Sequence, residues 1–305
     1  MKLGNEIKIS VIISSYNRER YIIKAVQSLI DQNLSSSLFE IIVVDNNSSD
    51  GTVEKLNSYI MNLTTNHILI LNEPKQGSSF ARNHGADFAK GDLLVFMDDD
   101  AIANAGFLEN ALKFYIKHPE VMGFGGKIIP KYNPSEPDWM SPLVASLVGR
   151  FDYGNNIKRF EKRKYPLESN MAVSKAAFHA ISGFNTSIPG VKGNMRIGGE
   201  GKDLFFRLVE RFGPIFYLPD MVVDHIIDVE KLTPEYMYRV ASGIGRGERV
   251  RIGSTTMALV SKFVEYIYKL GGSVAIGFYY FITARPQKAW PLVKFRIDVI
   301  KGFIE

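Results

Sequence analysis

Three consecutive carboxylates, Asp98-Asp99-Asp100, close an apolar run at residues 93–97. Adjacent like charges repel by ~1 kcal/mol per pair even at the dielectric of water. A divalent cation would relieve that repulsion, and Mg2+ or Mn2+ takes oxygen donors of this kind. Side chains alternate along an extended segment. Asp98 and Asp100 are therefore placed to share one ion, with Asp99 facing outward. An acidic turn or helix cap would carry the same three residues. Three other polar clusters follow apolar runs: Ser14-Ser15-Tyr16-Asn17-Arg18, Asp45-Asn46-Asn47-Ser48-Ser49-Asp50-Gly51-Thr52 and Gly77-Ser78-Ser79-Phe80-Ala81-Arg82-Asn83. Each alone reads as turn chemistry. Together they offer what a nucleotide needs. Asp45 can accept from a base imide or a ribose hydroxyl. Arg82 and a helix N-terminus can face a phosphate, and a cation can neutralise a diphosphate.

These clusters need a scaffold that brings them to one edge. β-branched apolar runs at 7–13, 39–44, 67–71 and 93–97 alternate with helical spacing at 18–32, 52–61 and 78–90. That alternation predicts an α/β fold with a mainly parallel sheet flanked by helices. Right-handed crossovers then collect the strand ends on one side, where ligands of such sheets bind. The rhythm breaks after residue 100. A strand is expected at 121–130, an irregular segment at 131–166 and a short apolar run at 169–173. A helix at 175–181, a Gly-rich loop at 188–199 and a helix at 202–212 follow. Short strands at 215–218 and 221–223 precede a mostly helical remainder from 233.

The chain has 305 residues, 46% hydrophobic and 23% charged, with no cysteine. Thiolate metal sites, thiol nucleophiles and disulfides are excluded. The N-terminus reads as entering a strand almost at once, so no signal peptide is expected. The net charge of +5 suits a phosphorylated ligand or an anionic surface. No basic run with interleaved aromatics points to nucleic acid. Residues 270–284 are uncharged and aromatic-rich, yet shorter than the ~18–20 residues of a membrane span. A buried or interfacial helix is expected there. Lys262, Lys269, Arg285, Lys288, Lys294, Arg296 and Lys301 surround it, so peripheral contact with an anionic membrane is one reading. An ordinary helical subdomain is the other.

The order Ser-Val-Ile-Ile-Ser-Ser-Tyr-Asn-Arg, Val-Val-Asp-Asn-Asn-Ser-Ser-Asp-Gly-Thr, Ala-Arg-Asn-His-Gly-Ala and Phe-Met-Asp-Asp-Asp resembles family 2 glycosyltransferases of the GT-A fold. The likeness continues through Ser169-Asn170-Met171-Ala172, Ser182-Gly183-Phe184, Gly198-Gly199-Glu200-Gly201-Lys202-Asp203-Leu204 and Leu218-Pro219-Asp220 to His225, covering roughly residues 7–230. It implies a Rossmann-like GT-A domain over 1–230, with a nucleotide-sugar-binding half (1–100) and an acceptor-binding half (101–230). Residues 231–305 would then be a helical extension.

The resemblance also implies inverting, metal-dependent transfer of a sugar from a nucleoside-diphosphate donor, expected to be UDP-linked. The acceptor would be a hydroxyl of a saccharide or lipid-linked saccharide in cell-surface polysaccharide or glycan assembly. By the same resemblance, Asp98 (of a DXD motif) touches the ribose or Mn2+/Mg2+, Asp100 ligates the metal and His225 completes its shell. Asp45, Ser15, Tyr16, Asn17, Arg18, Arg82 and Asp99 line the nucleotide pocket. The cytoplasm, or the inner face of the plasma membrane, is the expected location. One departure stands out. The residue after the motif's Glu, commonly an Asp that acts as base, is Gly201. Glu200 is the favoured replacement, because a Gly-rich loop can bring it to the acceptor. Asp203 at the helix start is the alternative, or a cap or acceptor contact. Gly201 also keeps open a non-catalytic sugar-nucleotide-binding module, and the metal keeps open a nucleotidyltransferase.

Overall fold

The computed structural model describes residues 6–63, 67–192 and 195–305. The chain begins as expected, with strands and helices in turn: β1 (Ile9–Ser15), α1 (Ile22–Ile30), β2 (Phe39–Asp45), α2 (Thr52–Met61), β3 (Ile68–Asn72), α3 (Ser78–Phe88) and β4 (Leu93–Asp98). Next come β5 (Ala101–Ala103), α4 (Phe107–Lys117), β6 (Gly123–Tyr132), β7 (Lys158–Arg159), β8 (Met171–Ser174) and α5 (Lys175–Ala180). A two-stranded hairpin, β9 (Gly190–Lys192) with β10 (Met195–Ile197), leads to α6 (Glu200–Phe212) and β11 (Phe216–Ile227). The chain ends in α7 (Pro234–Ile252), α8 (Thr256–Ile282) and α9 (Ala289–Ile304).

Nine strands form one sheet in the order β3-β2-β1-β4-β8-β6-β11-β5, with β7 paired to β11. β3, β2, β1 and β4 are mutually parallel, and β8 is antiparallel to both β4 and β6. The parallel strands sort their residues by the pleat. Ile9, Val11 and Ile13 of β1 join Val43, Val95 and Met97 under α1, α2 and α4. Ile12, Ile42, Val44, Leu94 and Phe96 face the opposite way, under α3, α5 and α6. Both faces are covered, so the strands read as continuous apolar runs rather than alternating ones.

Two compact units emerge: residues 1–129, 151–186 and 201–225 form one, and 130–150, 187–200 and 226–305 the other. The second unit has its own core, with Met140, Val144, Ala145, Val240, Tyr266, Leu292, Phe295 and Val299 among its members. α7 and α9 approach backbone to backbone. A Cβ on Gly245 would meet the Val299 carbonyl oxygen, and one on Gly302 the Ser242 carbonyl oxygen.

Two expectations change. β11 runs unbroken through Pro219, where two strands were expected. Pro219 falls between the stretch paired with β7 (Phe216, Tyr217) and that paired with β5 (Val223, Asp224, His225), so its missing N–H breaks no bond in either pairing. The loop expected at 188–199 holds the β9–β10 hairpin, and its residues 193–194 lie outside the described residues. Most of the uncharged stretch at 270–284, for which a buried or interfacial helix was expected, lies on α8 and is exposed. Only Ser273 and Gly277 within it are covered. No described helix is long and apolar enough to cross a membrane.

Candidate active site

The carboxyl ends of the parallel strands set the site. Backbone register places Ser15 beside Asp45 and Ser14 beside Asp98. β4 ends at Asp98, and a two-residue turn, Asp99-Asp100, leads straight into β5. β5 pairs antiparallel with β11, with Ala101 opposite His225. That pairing brings the imidazole to the turn: His225 Nε2 lies 2.8 Å from Asp100 Oδ1. Asp98, Asp100 and His225 each offer a ligand atom within 4.8 Å of the other two. Asp100 and His225 are buried, 4% and 8% exposed. Two carboxylates and an imidazole form a donor set suited to Mn2+ and similar divalent ions, so the residues fit the metal that the sequence led us to expect.

Asp98 is held from two sides. Arg82 Nη2 on α3 donates to its Oδ1 at 3.0 Å, and the Ser169 hydroxyl donates to its Oδ2. The Arg82 guanidinium also stands 5.5 Å over the Phe184 ring. It is thus bonded to the Asp98 carboxylate. Its charge fixes the Asp98 carboxylate in place.

Asp99 corrects an expectation. It is 7% exposed, not outward-facing. The strand stops at Asp98, so the two-residue alternation does not extend to the next residue. Asp99 Oδ1 accepts from Arg18 Nε at 3.2 Å, and Oδ2 from the Tyr16 amide at 3.4 Å. Burial pushes its carboxyl up to about 7; Arg18 opposes the rise, and the charges of Asp100 and Asp98 add to it. Arg18 Nε also lies 3.6 Å from Asp100 Oδ2. One guanidinium thereby spans two of the three aspartates.

The nucleotide-side loops are tied to each other. The Asn17 amide donates to Ser48 Oγ at 2.9 Å, and Asn17 Oδ1 accepts from the Ser49 amide at 2.8 Å. Asn17 holds a left-handed φ of 55°, a conformation asparagine tolerates. Asp45 is 3% exposed. Its Oδ2 accepts from the Ser48 amide at 3.2 Å, whereas its Oδ1 is buried with no partner among the described residues. A buried carboxylate oxygen left in this way is costly unless a ligand completes it. Asn46 braces the loop ahead of α3: its amide donates to the Glu73 and Lys75 carbonyls, and its Oδ1 accepts from the Gly77 amide at 2.7 Å.

The two motif carboxylates at the head of α6 differ. Glu200 opens the helix and is 4% exposed. Asp203 Oδ2 is held by Arg207, at 2.8 Å to Nε and 2.7 Å to Nη2, one turn along.

Sequence reasoning missed Ser169, Asn46 and Glu168. Glu168 accepts from the Gly201 amide at 2.7 Å. Asn46 and Ser169 lie inside quoted motifs, but nothing in their spacing shows what they touch.

Comparison with known proteins agrees with this fold. The sequence model of glycosyl transferase family 2 matches residues 10–181, more than half of the chain. A glucosyl-dolichyl phosphate glucuronosyltransferase of Haloferax volcanii is 25% identical over 222 residues, 72% of this chain and 69% of that protein. A poly(ribitol-phosphate) beta-N-acetylglucosaminyltransferase, TarS of Staphylococcus aureus strain Mu50, is 30% identical over 160 residues, 48% of this chain but 26% of its own. Among solved structures, the mannosyltransferase PcManGT from Pyrobaculum calidifontis, in complex with GDP-Man and Mn2+, aligns with a TM-score of 0.64 at 16% identity. It covers 98% of this chain and 87% of its own. The fold is GT-A, and the chain belongs to glycosyl transferase family 2.

Proposed function

We propose that the protein transfers a sugar, with inversion, from a nucleoside-diphosphate sugar to a hydroxyl of a saccharide or lipid-linked acceptor. UDP is the proposed nucleotide. The observation that carries this reading is the convergence of Asp98, Asp100 and His225 at the edge that also holds the incompletely bonded Asp45. Asp45 accepts from the base imide, while Ser15, Tyr16, Asn17 and Arg18 shape the wall beside it. Asp98, Asp100 and His225 would hold Mn2+ or Mg2+, which supplies neutralising charge at the diphosphate and makes it a better leaving group. Arg82 and Ser169 keep Asp98 oriented, so the ligands need no rearrangement when the donor arrives. The names of the archaeal and staphylococcal relatives support a lipid-linked or polymer acceptor.

The same reading includes contact with an anionic membrane surface through the second unit. α8 turns Tyr268, Phe278, Phe281 and Ile282 outward, and Trp290 follows on α9. No carboxylate lies between Glu265 and Asp298, whereas Lys269, Arg285, Lys288, Lys294 and Arg296 do. An apolar face followed by Arg285 and Lys288 is complementary to anionic headgroups, while Lys269 and Lys294 pair with Glu265 and Asp298. Co-sedimentation with phosphatidylglycerol vesicles, but not with phosphatidylcholine vesicles, is the expected result. Equal binding to both, or self-association in place of binding, would overturn this part.

Thermal-shift screening of UDP- and GDP-sugars with and without Mn2+ tests the central reading. A donor should raise the melting temperature, and more so with Mn2+. No stabilisation by any nucleotide sugar would sink it.

A further inference from the structure

Position 201 has no side chain, yet the space before it is filled. A Cβ built on Gly201 would stand 2.6 Å from Glu168 Oε1, 2.8 Å from Cδ and 3.1 Å from Cγ. The Gly201 amide donates to that same Oε1. A side chain at 201 and Glu168 in this pose exclude each other. The Glu168 carboxylate therefore lies against the space where a side chain at position 201 would begin. The two residues are 33 positions apart in the chain. Glu168 directly precedes Ser169, whose hydroxyl holds Asp98, so one short segment reaches both α6 and the metal-binding aspartates.

A base must come within hydrogen-bond reach of the acceptor hydroxyl. Three carboxylates gather around the start of α6, and their surroundings separate them. Glu200 is 4% exposed, the most enclosed of the three. Asp203 is 7% exposed and clasped by Arg207. Glu168 is only half-buried, and its Oε1 is fixed by a backbone amide. That fixed end orients the group, and partial exposure leaves it reachable.

We infer that Glu168 is the general base of this enzyme, standing in from another segment for the carboxylate that Gly201 lacks. The inference rests on the glycosyl-transfer reading above. The acceptor O–H proton passes to the Glu168 carboxylate as the acceptor oxygen bonds to the anomeric carbon. The bond from that carbon to the diphosphate oxygen breaks, and its electron pair leaves with the nucleoside diphosphate. No oxidant or co-reactant is needed. Glycine at 201 is then a requirement of the arrangement rather than a lesion in the motif.

The test compares the full chain with E168Q, E168A and the double variant E168A/G201D. UDP binding in Mn2+ is measured by calorimetry. UDP release from the UDP-sugar that most stabilises the wild type is measured beside it. E168Q should bind UDP within about threefold of wild type but release it roughly 10²–10⁴ times more slowly, the usual worth of a general base. E168A/G201D should recover about tenfold or more over E168A, because it returns a carboxylate to the same space. E168Q turning over within about threefold of wild type would overturn the inference. So would equal losses of UDP binding and turnover, the mark of a merely structural role. A folded, UDP-binding double variant with no recovery would also count against it. A wild type that neither binds nor turns over any nucleotide sugar would instead bring down the glycosyl-transfer reading itself, and this inference with it.

Discussion

The Asp98–Asp100 turn and the head of α6 both gather carboxylates, but they are assembled differently. The turn is local. Its aspartates are consecutive, and one strand pairing, β5 with β11, adds His225. The head of α6 is composite. Its own motif lacks a side chain at Gly201, and Glu168 enters from the segment ahead of β8 to fill that space. Charge is managed differently as well. The turn crowds like charges and offsets them with Arg18 and Arg82. At α6, one carboxylate is clasped by Arg207 and another is met by a backbone amide. The first arrangement suits holding a cation and a diphosphate. The second suits one carboxylate that must accept a proton.

The comparison breaks most visibly if both regions fail in the same way. Asp100→Ala removes a proposed metal ligand together with the carboxylate 2.8 Å from His225 Nε2. It should abolish Mn2+-dependent UDP binding and cut turnover by roughly 10³-fold or more, as calorimetry and UDP release would show. Glu168→Gln should spare binding and slow turnover by roughly 10²–10⁴-fold. Loss of binding in both variants would erase the division of labour. A smaller effect sharpens the picture within the turn. Asp99→Asn weakens the buried contacts to Arg18 and Tyr16, and should lower stability by about 1–3 kcal/mol in urea unfolding. An unchanged midpoint would return Asp99 to the outward position that strand alternation predicted. Smallest in the fold, Phe278→Ser on the outward side of α8 should change stability by no more than about 0.5 kcal/mol. It should nonetheless weaken binding to phosphatidylglycerol vesicles, and unaltered binding would count against the membrane contact.

What the sequence made legible follows the same divide. β1 to β4 and their helices could be read because strand and helix periods alternate cleanly and each strand ends in a polar cluster. Asp98, Asp100 and Asp45 could be placed because each closes, or directly follows, a strand whose end faces the edge. Asp99 could not, since the alternation rule lapses where β4 gives way to a turn. Arg82 could be placed by its position on a helix entering the site, but its bond to Asp98 appears only in the packed structure. Pro219 divided β11 on paper, because a proline's missing N–H matters only where a neighbour pairs with it. The uncharged stretch of α8 left burial and an interface both open, and only the packed structure shows most of its side chains facing outward. Glu168 carried no signal at all: its partner is a glycine in a distant segment, and an absent side chain gives no hint of what fills its place.

The most direct test of the central claim is a calorimetric titration of UDP, in Mn2+, into wild type and Asp100→Ala. If Asp98, Asp100 and His225 form the metal–diphosphate centre, the wild type binds only with the cation and the variant does not bind at all. Wild-type-like UDP binding by Asp100→Ala, with the same dependence on Mn2+, would contradict the account.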